Sequence, residues 1–183
     1  MSFNKALKEA YGVLAWKPNA VKNVIKSESA VKYATFFVII TILLLRIILG
    51  SIQKTVNWSA VWMGVYSFLF FVVLVSLVHV CATKILKGKG KGVDTYKVGG
   101  YAYIVHILEL IPYVGIIASV WYLITLGVNA KRIYNFSNGK SALAIILPMI
   151  ILAIVIALLV IIMADQIANE NVINVDLNNL KTN

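Results

Sequence analysis

From Ser141 to Ala164 the chain runs without one charged side chain, and two earlier stretches, 33–50 and 60–82, are almost as apolar. A helix rises ~1.5 Å per residue, so runs of this length reach across the ~30 Å of hydrocarbon in a bilayer. A water-soluble domain of 183 residues could not hide so much apolar surface, because 61% of the residues are hydrophobic and only 13% charged, with a mean hydropathy of +0.88. The expected fold is therefore all-α, a polytopic transmembrane helical bundle. Backbone polar groups satisfied within each helix are what lipid requires.

Residues 98–130 are also apolar but are interrupted at Glu109, Pro112 and Gly115. They read as two short or tilted helices, 98–110 and 112–130, folded back at Ile111-Pro112-Tyr113, with a re-entrant hairpin as the alternative. The expectation is about five spans, at 33–50, 60–82, 98–110, 112–130 and 141–164, between a basic leader of residues 1–32 and a polar tail of residues 165–183. The first apolar run begins too late for a secretory signal peptide.

Seventeen basic residues against seven acidic ones leave a net charge of +10, which in a soluble protein would raise the question of nucleic acid. Their placement answers otherwise, since nearly all lie in alternate polar stretches and so on one side of the proposed bundle. The leader carries Lys5, Lys8, Lys17, Lys22, Lys26 and Lys32. The second loop adds Lys84, Lys87, Lys89, Lys91 and Lys97, and the fourth adds Lys131, Arg132 and Lys140. Opposite them stand only Lys54 and Lys181, beside Asp165, Glu170 and Asp176. The positive-inside rule then puts the amino terminus in the cytoplasm and the carboxy terminus outside, in what reads as the cell membrane.

Within the leader, Phe3, Leu7, Tyr11 and Leu14 recur at helical spacing until Lys17-Pro18 ends the pattern. This predicts a short amphipathic helix, lying either at the membrane interface or with its stripe against the protein's own cytoplasmic ends. Lys5, Lys8, Lys84, Lys87, Lys89 and Lys91 are the expected contacts with anionic lipid headgroups, each worth ~1 kcal/mol near a charged surface. The run Lys87 to Gly92 lacks the Gly-Lys-Ser/Thr ending of a phosphate-binding loop and follows a membrane span, so it reads as a flexible basic loop on the inner leaflet. Trp16, Tyr33, Trp58, Trp62 and Tyr134 fall near span boundaries, where amphipathic rings favour the headgroup layer. The triplets at Asn57 and Asn135 match the glycosylation pattern once on each side and so carry no weight.

Few residues offer chemistry. Cys81 is alone and reads as a small buried hydrophobe, and His79 sits near the cytoplasmic boundary without metal-ligand neighbours. No serine, histidine and acid set suggests hydrolysis, and no cofactor is implied. Arg46 and Glu109 stand out, because an unpaired charge in hydrocarbon costs at least ~2.5 kcal/mol. Both fall in the outer half of spans running in the same direction, so they are expected to pair across the first and third helices, with His106 one turn from Glu109.

Gly99-Gly100-Tyr101 resembles the glycine-tyrosine start of the third span in the Yip (Ypt-interacting protein) domain family. Ile111-Pro112 with Gly115 and Trp121 resembles that family's hairpin between the third and fourth spans. Asn138 to Ala142 followed by Pro148 resembles the start of its last span, and Trp16-Lys17-Pro18 the proline-marked segment ahead of the first in prokaryotic-type members. The resemblance implies five clustered spans behind a cytoplasmic amino-terminal segment and a non-enzymatic membrane factor. In eukaryotic members it would imply binding of Rab-class small GTPases, but this leader lacks the family's Asp-Leu-Tyr-Gly-Pro stretch, so that partner is not carried over. The expected role is membrane organisation or scaffolding through helix-bundle and lipid contacts, with a protein partner or a second copy of the chain as further candidates. The rival is a small transporter or channel built around Arg46, His106 and Glu109.

Overall fold

Helix is the only regular structure in the described residues, as a backbone that must satisfy its own polar groups away from water requires. The computed structural model describes residues 1–52, 58–111 and 113–181, without side-chain detail at 49, 50, 52, 58–60 and 165–181. Lys54, Asn57 and Pro112, all named from the sequence, lie outside the described residues. The helices are α1 (Phe3–Leu14), α2 (Pro18–Lys26), α3 (Ala30–Ile52), α4 (Trp58–Val80), α5 (Gly92–Ala102), α6 (Val114–Tyr134) and α7 (Asn138–Lys181). A π-helical turn, Cys81–Ile85, follows α4, and 3-10 turns, Tyr103–Leu110, follow α5.

Four stretches are long and apolar enough to cross a membrane: Ala30–Ile48, Val61–Ile85, Val114–Tyr134 and Asn138–Ala164. The remaining expected span, 98–110, is not one regular helix. It is the second half of α5 continued by the 3-10 turns. The 11 residues of α5 and the 8 that follow reach ~32 Å when each is given its own rise of ~1.5 or ~2.0 Å per residue. The turns stop at Ile111, whose extended backbone suits a residue that precedes proline. Tyr113, left-handed at φ 67°, then starts α6.

Two compact units divide the chain, Met1–Leu147 and Pro148–Asn183. In the first, α5 is the hub. Its residues Thr95, Lys97, Val98, Gly99, Gly100, Tyr101 and Ala102 are all buried, with α1, α2, α3, α4 and α6 packed around it. Two glycines in succession make this possible, and at Gly100 an added Cβ would lie 2.6 Å from the Cβ of Ala34 on α3. Such small-residue contacts let helices approach where lipid supplies no hydrophobic drive to associate. The second unit is the rest of α7, whose large side chains from Ile154 to Met163 are exposed. The helix itself continues past the expected end at residue 164 to Lys181.

The structure adds two features to the leader. The first helix ends at Leu14, ahead of Lys17-Pro18, and Pro18 also opens α2 at its first turn, where the missing N–H costs nothing. The buried face of α1 is not the large-residue stripe but the small one: Ala6, Ala10, Gly12 and Val13 join Ala20, Val21 and Val24 of α2 in the main core. Leu7 and Tyr11 are left uncovered at 39% and 65% exposure. Phe3, half exposed, touches the rings of Tyr33, Phe36 and Phe37 at centroid distances of 6.4, 5.7 and 6.4 Å.

The body holds the leader largely by its carbonyls. Tyr33 Oη donates to Met1 O at 2.8 Å, Asn129 Nδ2 to Val13 O at 3.4 Å, Arg132 Nη2 to Trp16 O at 2.6 Å, and Lys97 Nζ to Ile25 O at 2.8 Å. Val13 O and Ile25 O lie in the last turns of α1 and α2, where carbonyls run out of helical partners and positive charge is favoured, although Val13 O also accepts from Trp16 N at 3.1 Å. Lys97, counted from sequence among the loop cations, is thus a buried clasp at 7% exposure. Trp16 completes the joint by stacking on Trp121 at 4.9 Å and donating to Thr125 Oγ1 at 3.1 Å.

Candidate functional site

The intramembrane charges are carried by three elements. Arg46 projects from α3, His106 and Glu109 from the 3-10 turns, and Ser119 from the start of α6. With Met63, Tyr66, Ser67, Phe70 and Tyr103 they line one open cavity of about 540 Å³. Sequence reasoning paired Arg46 with Glu109, and the structure pairs neither with the other. Arg46 Nη2 donates to Ser67 Oγ at 2.8 Å, and Ser67 Oγ in turn donates to Met63 O at 2.8 Å. Glu109 Oε1 lies 2.5 Å from His106 Nδ1 and accepts from Ser119 Oγ at 3.4 Å.

Local geometry explains the difference. His106 and Glu109 are three residues apart, so the 3-10 turns set them on one edge, and i, i+3 side chains eclipse in that conformation. The arginine finds a hydroxyl on the adjacent α4 before it could reach a carboxylate on a third element. Among the described residues the His106–Glu109 contact is the only ion-pair geometry, and it is ionic only when the imidazole is protonated. His106 is also packed between Tyr103 and Tyr122, with centroids at 4.6 and 4.9 Å, so one side of the ring is dry. The arrangement can hold a proton or a small polar group. No group of three metal-ligating side chains occurs among the described residues.

A second region lies at the opposite end of the same helices. Lys87, Lys89 and Lys91 alternate with Gly88 and Gly90 in a strap without regular secondary structure. The glycines face the protein: a Cβ on Gly88 would lie 2.6 Å from Phe136 Cζ, and one on Gly90 2.6 Å from the carbonyl oxygen of Ile133. The lysines are exposed, as are Lys5, Lys8 and Lys84. This stretch is therefore no loose loop but a strap pressed on the end of α6, fixed at Lys87 by a left-handed φ of 60° and a 2.8 Å bond from Gly88 N to Ala82 O.

Beneath the strap, His79 Nδ1 meets Tyr134 Oη at 2.9 Å, and Tyr134 Oη also bonds Thr95 Oγ1, tying α4, α5 and α6 together. Sequence reasoning missed this network, since the three residues are far apart in the chain. Cys81 is buried and free, as a small hydrophobe would be.

The family model for the Yip1 domain matches residues 11–161, which takes in α1 from Tyr11, the cavity at Arg46 and Glu109, the Lys-Gly strap, three of the apolar stretches and all but the last three residues of the fourth. No curated protein and no solved structure matches the chain.

Proposed function

The chain belongs to the Yip1 domain family, and from that premise we propose that this integral membrane protein works without catalysis, organising anionic lipid at the face that carries α1 and the Lys-Gly strap. One observation carries the reading. Helix α1 spends its small residues on the bundle and leaves Leu7 and Tyr11 uncovered beside the exposed Lys5 and Lys8. A helix docked in this way presents oil and positive charge together, which is what the boundary between acyl chains and headgroups accommodates. The strap adds Lys87, Lys89 and Lys91 on the exposed side of its backbone.

The distribution of charge supports a cytoplasmic location for this face, with the carboxy terminus outside and the third crossing made by α5 and its 3-10 turns. A cytoplasm-specific reporter at Met1 should be active and one after Lys181 inactive; an active carboxy-terminal fusion would remove the five-crossing topology. Binding of small GTPases is not part of this reading. The lipid role is tested with the full-length protein in vesicles of mixed phosphatidylglycerol and phosphatidylcholine. Anionic lipid should be enriched around the protein at low salt and lose that enrichment as screening shortens below ~10 Å. Equal enrichment of both lipids would refute the role.

The cavity at Arg46, His106, Glu109 and Ser119 favours a second reading, transport of a proton or small polar solute. Proton or solute flux into protein-loaded vesicles, abolished by Glu109→Gln, would establish it. Flux equal to that of empty vesicles would dismiss it.

A further inference from the structure

Between α2, the end of α6 and the first turn of α7 lies a cavity of about 630 Å³. Three cations line it, Lys22, Lys131 and Arg132, with Asn135, Asn138 and Ser141 as the polar remainder, and no carboxylate is among its lining residues. Its volume is in the range of sites that hold small ligands, roughly 300–1,000 Å³.

None of the three cations makes an ion pair among the described residues. Lys131 Nζ donates to the amide oxygen of Asn138 at 2.7 Å, and Arg132 donates to Asn129 Oδ1 at 2.8 Å and to Trp16 O at 2.6 Å. These neutral acceptors fix Lys131 and Arg132 in place without an opposing charge among the described residues. The wall formed by α7 adds to it. The first backbone bond of that helix runs from Ser141 N to Ser137 O, so the N–H groups of Asn138, Gly139 and Lys140 precede the ladder and carry the positive end of the helix. A side chain added at Gly139 would meet nothing within 4 Å, so this turn is uncovered. The remaining wall is apolar, from Val21, Ile25 and Val128.

A second cavity of about 320 Å³ lies across the same turn, lined by Lys87, Lys89 and Lys140 and sharing Asn135 and Phe136 with the first. Six cations thus flank one short connection, held by the left-handed Asn135. That connection is where the leader, the strap and the last span meet.

We propose that the larger cavity is a discrete binding site for a phosphate group, carried either by the headgroup of an anionic phospholipid or by a soluble phosphate ester. The proposal rests on the lipid-organising reading only for the lipid source, and differs from it in kind. That reading needs a diffuse charged surface, whereas this site has defined walls and involves none of Lys5, Lys8 or Lys91.

Two arms distinguish the sources. In one, full-length protein is released from vesicles of phosphatidylglycerol and phosphatidylcholine and the retained lipid is measured by native mass spectrometry. In the other, the detergent-solubilised protein is melted in inorganic phosphate and in chloride of equal ionic strength. Lys22→Gln with Lys131→Gln should weaken retention of phosphatidylglycerol, or protection by phosphate, by about thirtyfold, which is two contributions of ~1 kcal/mol each converted at ~1.4 kcal/mol per tenfold. Lys22→Arg with Lys131→Arg should retain binding, and this pair guards against misfolding as the cause of the loss. Lys5→Gln with Lys8→Gln, which belong to the surface reading, should lower salt-dependent enrichment in vesicles while costing the retained lipid less than the cavity pair does. Protection by phosphate alone assigns a soluble ester, and retention of lipid without phosphate protection assigns the headgroup. Equal loss in the cavity pair and the α1 pair, or no loss in the cavity pair, overturns the site while leaving the surface attraction standing. An α1 pair that keeps full salt-dependent enrichment in vesicles refutes the surface reading and leaves the site intact.

Discussion

Gly99 and Gly100 are neighbours on α5, yet replacing each with alanine should move stability in opposite directions. A Cβ at Gly100 would lie 2.6 Å from Ala34 Cβ and 2.9 Å from both the Cα and the carbonyl oxygen of Ala34. Ordinary carbon contacts sit at ~3.5–4.0 Å, so α3 and α5 would have to part by about 0.6–0.9 Å. Backbone cannot rotate out of the way, which places this overpacking at the upper end of the usual ~1–3 kcal/mol. Alanine recovers ~0.8–1.0 kcal/mol of helix propensity, leaving a net loss of about 1–2 kcal/mol. At Gly99 the nearest obstacle is Val75 Cγ2, at 3.1 Å, a methyl that can shift a few tenths of an ångström. There the propensity gain prevails, and Gly99→Ala should be neutral or stabilising. Thermal unfolding of the purified protein in one detergent reads the difference, with Tm moving ~2–4 °C per kcal/mol for a chain of this size. Ala34→Gly in the Gly100→Ala background removes the closest contact but not the two backbone ones, so it should restore part of the loss. If Gly100→Ala melts at or above Gly99→Ala, the close approach of α3 and α5 at this point is wrong.

Gly90→Ala would drive a Cβ into the carbonyl oxygen of Ile133 at 2.6 Å and lift the strap, so hydrogen exchange across residues 87–92 should accelerate while the spans keep their protection. Arg132→Ala removes charge-assisted bonds to Trp16 and Asn129, each worth ~1.5–3 kcal/mol, and should expose the leader lysines to trypsin; unchanged cleavage would mean that the clasp is idle. Leu7→Ser with Tyr11→Ser touches an uncovered face, so the melting point in detergent should stay put, while amide protection of α1 in a bilayer should fall by an amount set by ~25 cal/mol per Å² of lost apolar burial.

The bundle was legible in the sequence because lipid imposes its rule on every residue of a span, and runs such as Ser141 to Ala164 have no other reading. The leader was legible as a helix but not as to its face. Apolar periodicity picks out the largest residues, Phe3, Leu7 and Tyr11, whereas close packing on α5 selected the small ones, Ala6 and Ala10. A proline at a first helical turn and a proline that ends a helix look alike in one dimension, which hid α2. Arg46 and Glu109, singled out as costly, line one cavity, but their partners depended on which hydroxyl or imidazole stood nearest, a matter of tertiary distance. The strap shows the same limit. Lysine and glycine at alternate positions read as flexibility until Ile133 and Phe136 supply a surface for the glycines to lie on.

The clasp on the leader grips oxygens that every residue possesses. Tyr33, Lys97, Asn129 and Arg132 reach Met1, Val13, Trp16 and Ile25 through their main-chain carbonyls, so the specificity of docking resides in the body of the protein and scarcely in the leader's outward side chains. The outer face of α1 can consequently be rewritten, whether by drift or by design, in charge, bulk or chemical label, while the same four donors continue to seat it.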